Sequence, residues 1–391
     1  MNMSKIANPF EVKRKSTSTC CSDRVKVCFS CATTPVSSLS QLPSFFLMFL
    51  CCAGLLENQS ILPKKRIVFY ALLFFSCAQI IIEYATDFNA IRPILSIPIL
   101  ISLACNLMSW FILRQKRLKL TYLVGKLKDI HVSTYTKKSN SVAFFIFCLP
   151  LVYSTLYTID CATELTPPFE IYGLEIENTL VEILFISVSK YLQFFIDVTL
   201  PCLVAYVYCI LCFHCSSGIN ILTQQVDQHT PETFGPQQQI VILRKKAEID
   251  DVLDDIQNVF SMSAFFAIIS CLMNCCNVLG IKLIPNLKHL YMTDVIEVVF
   301  YGTAGLSCLT ATLWVAGGLA IELSNLKEAF YKRAHSRFLL FPSLKEPNCK
   351  QELLEKPEFV LMGCNILSYR RSSLFTLVGA LLTYTVLIFQ M

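Results

Sequence analysis

Apolar residues along this chain are gathered into long runs separated by polar segments. Seven runs stand out, at about 66–86, 92–113, 141–160, 181–213, 258–283, 294–320 and 372–391. About 20 helical residues cross a hydrocarbon core of roughly 30 Å. Inside lipid the backbone must pair within its own segment, so each run predicts a helix. The expected fold is all-α: a polytopic membrane protein with seven transmembrane helices. The apolar stretch 43–56 is too short for a span and predicts an interfacial or re-entrant segment. Residues 1–42 form a polar tail. The fourth run has 33 residues, about 50 Å of helix, so it tilts strongly or projects beyond the membrane. Before the fifth run, Ile249, Val252, Ile256, Val259 and Phe260 recur at helical spacing, with Asp250, Asp251, Asp254 and Asp255 between them. Leu326, Phe330 and Tyr331 suggest a similar stripe after the sixth run. These stripes predict a cytoplasmic helical bundle, covered either by the chain's own helices or by partner subunits.

Composition agrees with a membrane solvent. Hydrophobic residues make up 54% and charged residues 16% of the chain, against about 25% charged in soluble domains. The mean hydropathy is +0.55. The net charge of +5 matters less than its placement. A cytoplasmic N-terminus makes 1–66, 114–140, 214–257 and 321–371 internal, and these hold 29 of the 33 Lys and Arg. That bias follows the positive-inside rule and places the C-terminus outside. It excludes the orientation of a G-protein-coupled receptor. The loop 160–178 carries Asp160, Glu164, Glu170, Glu175 and Glu177 with no Lys or Arg, as an outside loop or an acidic collar for cations would. No basic run points to nucleic acid, and no cleavable signal precedes the first run.

Polar groups inside spans are costly and mark function or helix contacts. Lys190, Gln193 and Asp197 share one helical face of the fourth span. Tyr153 and Tyr157 lie near the outer end of the third, Asn274 and Asn277 in the fifth, and Glu297 and Tyr301 in the sixth. They line a small-ligand pocket in the outer half, with Lys190 and Tyr157 as leading contacts, or act as intramembrane glue. The glue reading pairs Lys190 with Asp197 or Glu297. Arg92 and Lys282 are placed to snorkel at outer span ends. Gly302, Gly305, Gly317 and Gly318 suit close helix packing. Most of the 20 cysteines fall inside apolar runs as packing residues, Cys161 alone in an outside loop. Cys20, Cys21, Cys28 and Cys31 lack the spacing of a zinc site. The sequon Asn58-Gln59-Ser60 falls on the inside. No catalytic triad, phosphate loop or metal motif is present, so neither enzyme activity nor a cofactor is expected.

The last run ends Thr383-Tyr384-Thr385-Val386-Leu387-Ile388-Phe389-Gln390-Met391. This resembles the signature closing the seventh helix of arthropod gustatory receptors: Thr-Tyr, five hydrophobic residues, then Gln-Phe. Met391 stands where the family has Phe. Phe359 to Gly363 and Leu367 to Leu374 resemble the stretch entering that helix. The resemblance implies a chemosensory, ligand-gated, non-selective cation channel in the plasma membrane, opened by a small-molecule tastant. It implies a homo- or heterotetramer with related receptors. Residues 43–320 would form the peripheral bundle, 321–371 a cytoplasmic anchor and 372–391 the pore-lining helix. Gln390 and Met391 would be the narrow point, with Phe389 and Ile388 adding an apolar constriction. Thr383 and Tyr384 would pack against neighbouring helices. The alternatives are a transporter, a non-channel signalling receptor, or an obligate co-subunit without its own ligand. Transporters often carry internal repeats, and none is evident here.

Overall fold

A computed structural model describes residues 44–57, 63–87, 93–126, 136–163, 179–279, 292–342 and 359–390. The described residues are almost wholly helical. The helices are α1 (Ser44–Cys52), α2 (Pro63–Asp87), α3 (Pro93–Gln115), α4 (Arg117–Lys126), α5 (Thr136–Thr163) and α6 (Thr179–Phe194). A π-helical turn, Phe195–Thr199, joins α6 to α7 (Leu200–Gln228). Then follow α8 (Pro236–Asn277), α9 (Met292–Leu340), a hairpin of β1 (Met362–Gly363) and β2 (Leu367–Ser368), and α10 (Arg371–Gln390).

Five helices are long and apolar enough to cross a membrane among the described residues: Ile97–Gln115, Asn140–Thr163, Leu180–Gln228, Pro236–Asn277 and Met292–Leu340. Within α2 the stretch Arg66–Ile82 is a shorter apolar helix, and α10 coincides with the seventh run. The fourth run reaches much further than expected, as a helix of 49 residues. With α9, also 49 residues, it extends about 70 Å, more than twice a hydrocarbon core. Most of the segment 214–257 is helix, extending well beyond the stripe at 249–260, and only a short turn separates α7 from α8. There Arg333 donates to Asp227 O at 2.8 Å and Arg337 to Glu232 O at 2.6 Å, pairing carbonyls near a helix end that would otherwise lack donors.

The core runs through α7, α8 and α9. Ile249, Val252, Ile256, Val259 and Phe260 are all buried, so the chain's own helices cover the stripe. Leu326 and Phe330 are buried too, but Tyr331 is 44% exposed and stacks on His335. In the stretch 43–56, α1 and its turn are enclosed by the other helices, with Phe46, Leu50, Cys51, Ala53 and Leu56 buried. Trp110 Nε1 donates to Ala53 O at 3.1 Å, pinning the turn to α3. Gly54 there has φ +72°, a conformation open to glycine at little cost. Gly305 admits α8 closely: an added Cβ would stand 2.9 Å from Cys275 Sγ. Cys105, Cys202, Cys271, Cys275, Cys276 and Cys308 are buried packing residues, and no described cysteine forms a disulfide. Asp160 and Cys161 belong to α5, correcting their assignment to a loop. Residues 1–42, the sequon, most of the acidic loop, Arg92 and Lys282 lie outside the described residues.

Candidate functional site

The predicted polar residues sort into two groups. The first lies toward the end of the bundle where α5 stops and α6 and α9 begin. Tyr153 and Tyr157 of α5, Lys190 and Gln193 of α6, and Glu297 and Tyr301 of α9 meet there. Tyr153 is 1% exposed. Its ring stacks on Phe194 at 4.6 Å and meets Phe300 and Tyr301 at 5.7 Å and Tyr157 at 5.9 Å. Its hydroxyl donates to Glu297 Oε1 at 3.5 Å, a long bond. The Lys190 ammonium donates to Gln193 Oε1 at 3.1 Å and stands 5.2 Å from the Tyr157 ring centre. Lys190 and Glu297 thus end a chain of contacts running through Tyr157 and Tyr153. Phe194 and Phe300 complete the cluster. Their apolar character hid them in the sequence, although each directly neighbours a chosen residue.

The second group is tied into hydrogen bonds between helices. Asp197 lies within the π turn rather than continuing the α-helical face of Lys190 and Gln193. A π turn shifts backbone pairing from i+4 to i+5 and leaves carbonyls to be met from elsewhere. Asn274 Nδ2 donates to Asp197 O at 2.8 Å, and Asn106 Nδ2 donates to Ile196 O at 3.1 Å. Asn274 Oδ1 accepts from Ser102 Oγ at 2.8 Å, and Ser102 also pairs with Ser270. Asn274 therefore knits α3, α8 and the π turn. Asn106, Ser102 and Ser270 were not picked out from the sequence, though polar residues within apolar spans were the available signal. Asn277 lies near the end of α8, half-buried, and no described contact joins it to the aromatic cluster.

The candidate pore residues are at the end of α10. Ile388, Phe389 and Gln390 occupy its last turn. Their side chains and Met391 fall outside the described residues. Thr383 Oγ1 donates to Gly379 O at 2.9 Å within the helix, on a side exposed in the single chain. Tyr384 is half-buried against a small cluster of Leu381, Cys275 and Cys276. Much of α10 is uncovered: Phe375 is 78% and Leu382 63% exposed. Among the described residues no three His, Cys, Asp or Glu could hold a metal ion. An apolar cavity lies away from the cluster, lined by residues including Leu50, Leu113, Leu203 and Phe260.

Solved structures place this arrangement. Over 88% of this chain and 98% of the other, it superposes on the insect olfactory receptor OR5 of Machilis hrabei with a TM-score of 0.62 and 14% identity. The chain has the fold of an insect olfactory receptor. The same receptor in complex with eugenol superposes with a TM-score of 0.61 and 12% identity, over 90% of this chain and 99% of that one. No protein-family profile and no curated protein matches the sequence. The receptor fold makes the long α7, α8 and α9 and the terminal α10 parts of one known architecture.

Proposed function

We propose that this chain is a subunit of a chemosensory, ligand-gated, non-selective cation channel of the gustatory type. It crosses the plasma membrane seven times with a cytoplasmic N-terminus and an extracellular C-terminus. The observation that carries the reading is the pairing of an insect chemoreceptor fold over most of the chain with the Thr383-Tyr384…Gln390 ending of its last helix. Four copies, alike or mixed with related receptors, surround a pore lined by α10. The apolar side chains that α10 leaves uncovered support this, because its own subunit gives it little cover. Gln390 amides offer carbonyl oxygens to a passing cation, and Ile388, Phe389 and Met391 close the path by dewetting.

The ligand binds at the aromatic cluster of α5, α6 and α9. Rings and one charge of each sign suit a small molecule with an aromatic or apolar body and a polar group. Tyr153 and Phe194 are packed shut, so entry requires their rings to turn aside. The ligand then selects the opened arrangement by its higher affinity for it. The test is whole-cell recording from cells expressing the chain alone under a broad tastant panel, with an N-terminal epitope tag. Evoked cation current with the tag reachable only after permeabilisation supports the reading. Tag staining of intact cells overturns the topology. A surface-delivered chain that stays silent alone but conducts beside a related receptor identifies a heteromer.

A further inference from the structure

We infer that Gln257 of α8 is a positioning residue for the pore: by clamping the β-hairpin it sets where α10 starts and how readily the pore opens. The inference rests on the channel reading above. Among its described side chains α10 fully buries only Leu381, so its position depends on how its first turn is held. That turn is docked tightly. The Arg371 amide nitrogen comes within 2.7 Å of where a Cβ on Gly317 would stand. The Arg371 guanidinium lies 4.3 Å from the Trp314 ring centre, and Ser373 Oγ donates to Ser368 O at 2.7 Å. The residues just before it are the hairpin.

The hairpin hangs from α8. Gln257 Nε2 donates to Met362 O at 2.7 Å, and Met362 N donates to Gln257 Oε1 at 3.0 Å. One side chain thus supplies both bonds of a strand partner. One turn along α8, Ser261 Oγ accepts from Cys364 N at 3.1 Å. Cys364 and Asn365 have φ of 52° and 57°, left-handed conformations that persist in non-glycine residues where their surroundings impose them. The Ser261 bond is part of that imposition. Tyr369 completes the seat, 1% exposed and 6.0 Å from the Tyr208 ring centre. Gly363 has no room for a side chain, since a Cβ would run into the Tyr369 ring and stand 3.1 Å from Phe265 Cβ. At its other end α8 carries Asn274, bonded to the turn that follows the ligand cluster. A helix stiff over the roughly 25 Å between Asn274 and Gln257 therefore touches both the ligand-bearing helix and the strap of the pore helix.

The experiment compares wild type, Gln257→Leu, which loses both bonds at similar volume, and Gln257→Glu, which keeps the acceptor for Met362 N–H. Amide exchange over 359–370 in lipid nanodiscs and ligand-evoked currents are both read. Gln257→Leu should raise exchange at Met362 and Cys364 about tenfold and move the half-activating concentration about fivefold, as losing such bonds implies. The reversal potential should stay put, and Gln257→Glu should fall between. Ser261→Ala is the milder variant should Gln257→Leu fail to reach the surface. Raised exchange with unchanged activation overturns the inference, because the strap is then packing only. Unchanged exchange overturns it as well, because Gln257 then clamps nothing. A wild type that passes no evoked current, alone or beside a related receptor, sinks the channel reading and this inference with it; intact exchange protection would mark that failure as distinct from loss of the clamp.

Discussion

The Lys190 ammonium faces the Tyr157 ring at 5.2 Å while donating to Gln193. A cation over an aromatic face contributes about 0.5–2 kcal/mol, equivalent to about 2- to 30-fold in an equilibrium. Replacing Lys190 with Gln should shift the half-activating ligand concentration within that range. Tyr157→Phe keeps the ring face and should shift it far less than Tyr157→Leu. Neither should move the reversal potential, since both residues lie far along the chain from the end of α10. A changed reversal potential in Lys190→Gln would place the residue in the conduction path instead.

Asn274 should behave differently from Lys190. Asn274→Leu strips Asp197 O and Ser102 Oγ of a partner in a buried setting. Leaving buried polar groups unpaired destabilises by about 1–3 kcal/mol, and measured hydrogen bonds between membrane helices average nearer about 0.6 kcal/mol. The melting temperature in nanodiscs should fall, with Asn274→Ser falling less. Among the channels that reach the surface, ligand rank order should be unchanged. A changed rank order at wild-type stability would return Asn274 to the ligand pocket.

The helices were legible because lipid leaves the sequence little choice: a run of 20 apolar residues has to be a helix. Ile249 to Phe260 were readable for a related reason, since only burial of one face explains that spacing. Lys190, Tyr153, Tyr157, Glu297 and Tyr301 could be chosen because a polar group in an apolar span stands out. Phe194 and Phe300 could not, as they look like any lipid-facing residue. The π turn at Phe195–Thr199 has one local signal, Pro201, which has no N–H for the carbonyl of Asp197 four residues earlier; the side chains that meet the freed carbonyls, Asn106 and Asn274, lie far away in sequence. The shortness of 43–56 marked it as no full span, but length does not distinguish an interface from an interior, so the depth of burial of α1 was not legible. The hairpin was hidden too, since its left-handed positions carry Cys364 and Asn365 rather than glycine.

Arg337 should matter to the packing of the long helices beyond its charge. Its guanidinium reaches Glu232 O at 2.6 Å and Pro231 O at 3.3 Å, bridging α9 to the turn between α7 and α8. Arg337→Ala should lower stability by about 1–2 kcal/mol, as expected for bonds from a charged donor at a partly wet site. Lys, with one compact ammonium in place of a planar fork, should restore only part. Thermal melting of the purified protein checks the order wild type, Lys, Ala. Equal melting of all three would leave the turn held by Arg333 and packing alone.

Tyr369 gives the strap a pH signature. Burial pushes its phenol above the ordinary value, with Cys364 and Cys212 adding to the effect. In the unfolded chain the phenol loses its proton near pH 10, while the folded chain still holds it. The folded state then binds more protons, so this contribution to stability is present below pH 10 and is lost as pH rises above it. Tyr369→Phe has no proton to lose. The stability difference between wild type and Tyr369→Phe should be flat below about pH 9 and turn against wild type above about pH 10. At neutral pH the substitution should cost little, because the hydroxyl is buried without a hydrogen-bond partner among the described residues and an unpaired buried hydroxyl is itself unfavourable. Urea unfolding of the two proteins in detergent from pH 7 to 11 measures this directly. Parallel curves throughout would mean that water reaches the phenol and that the strap opens in the resting protein.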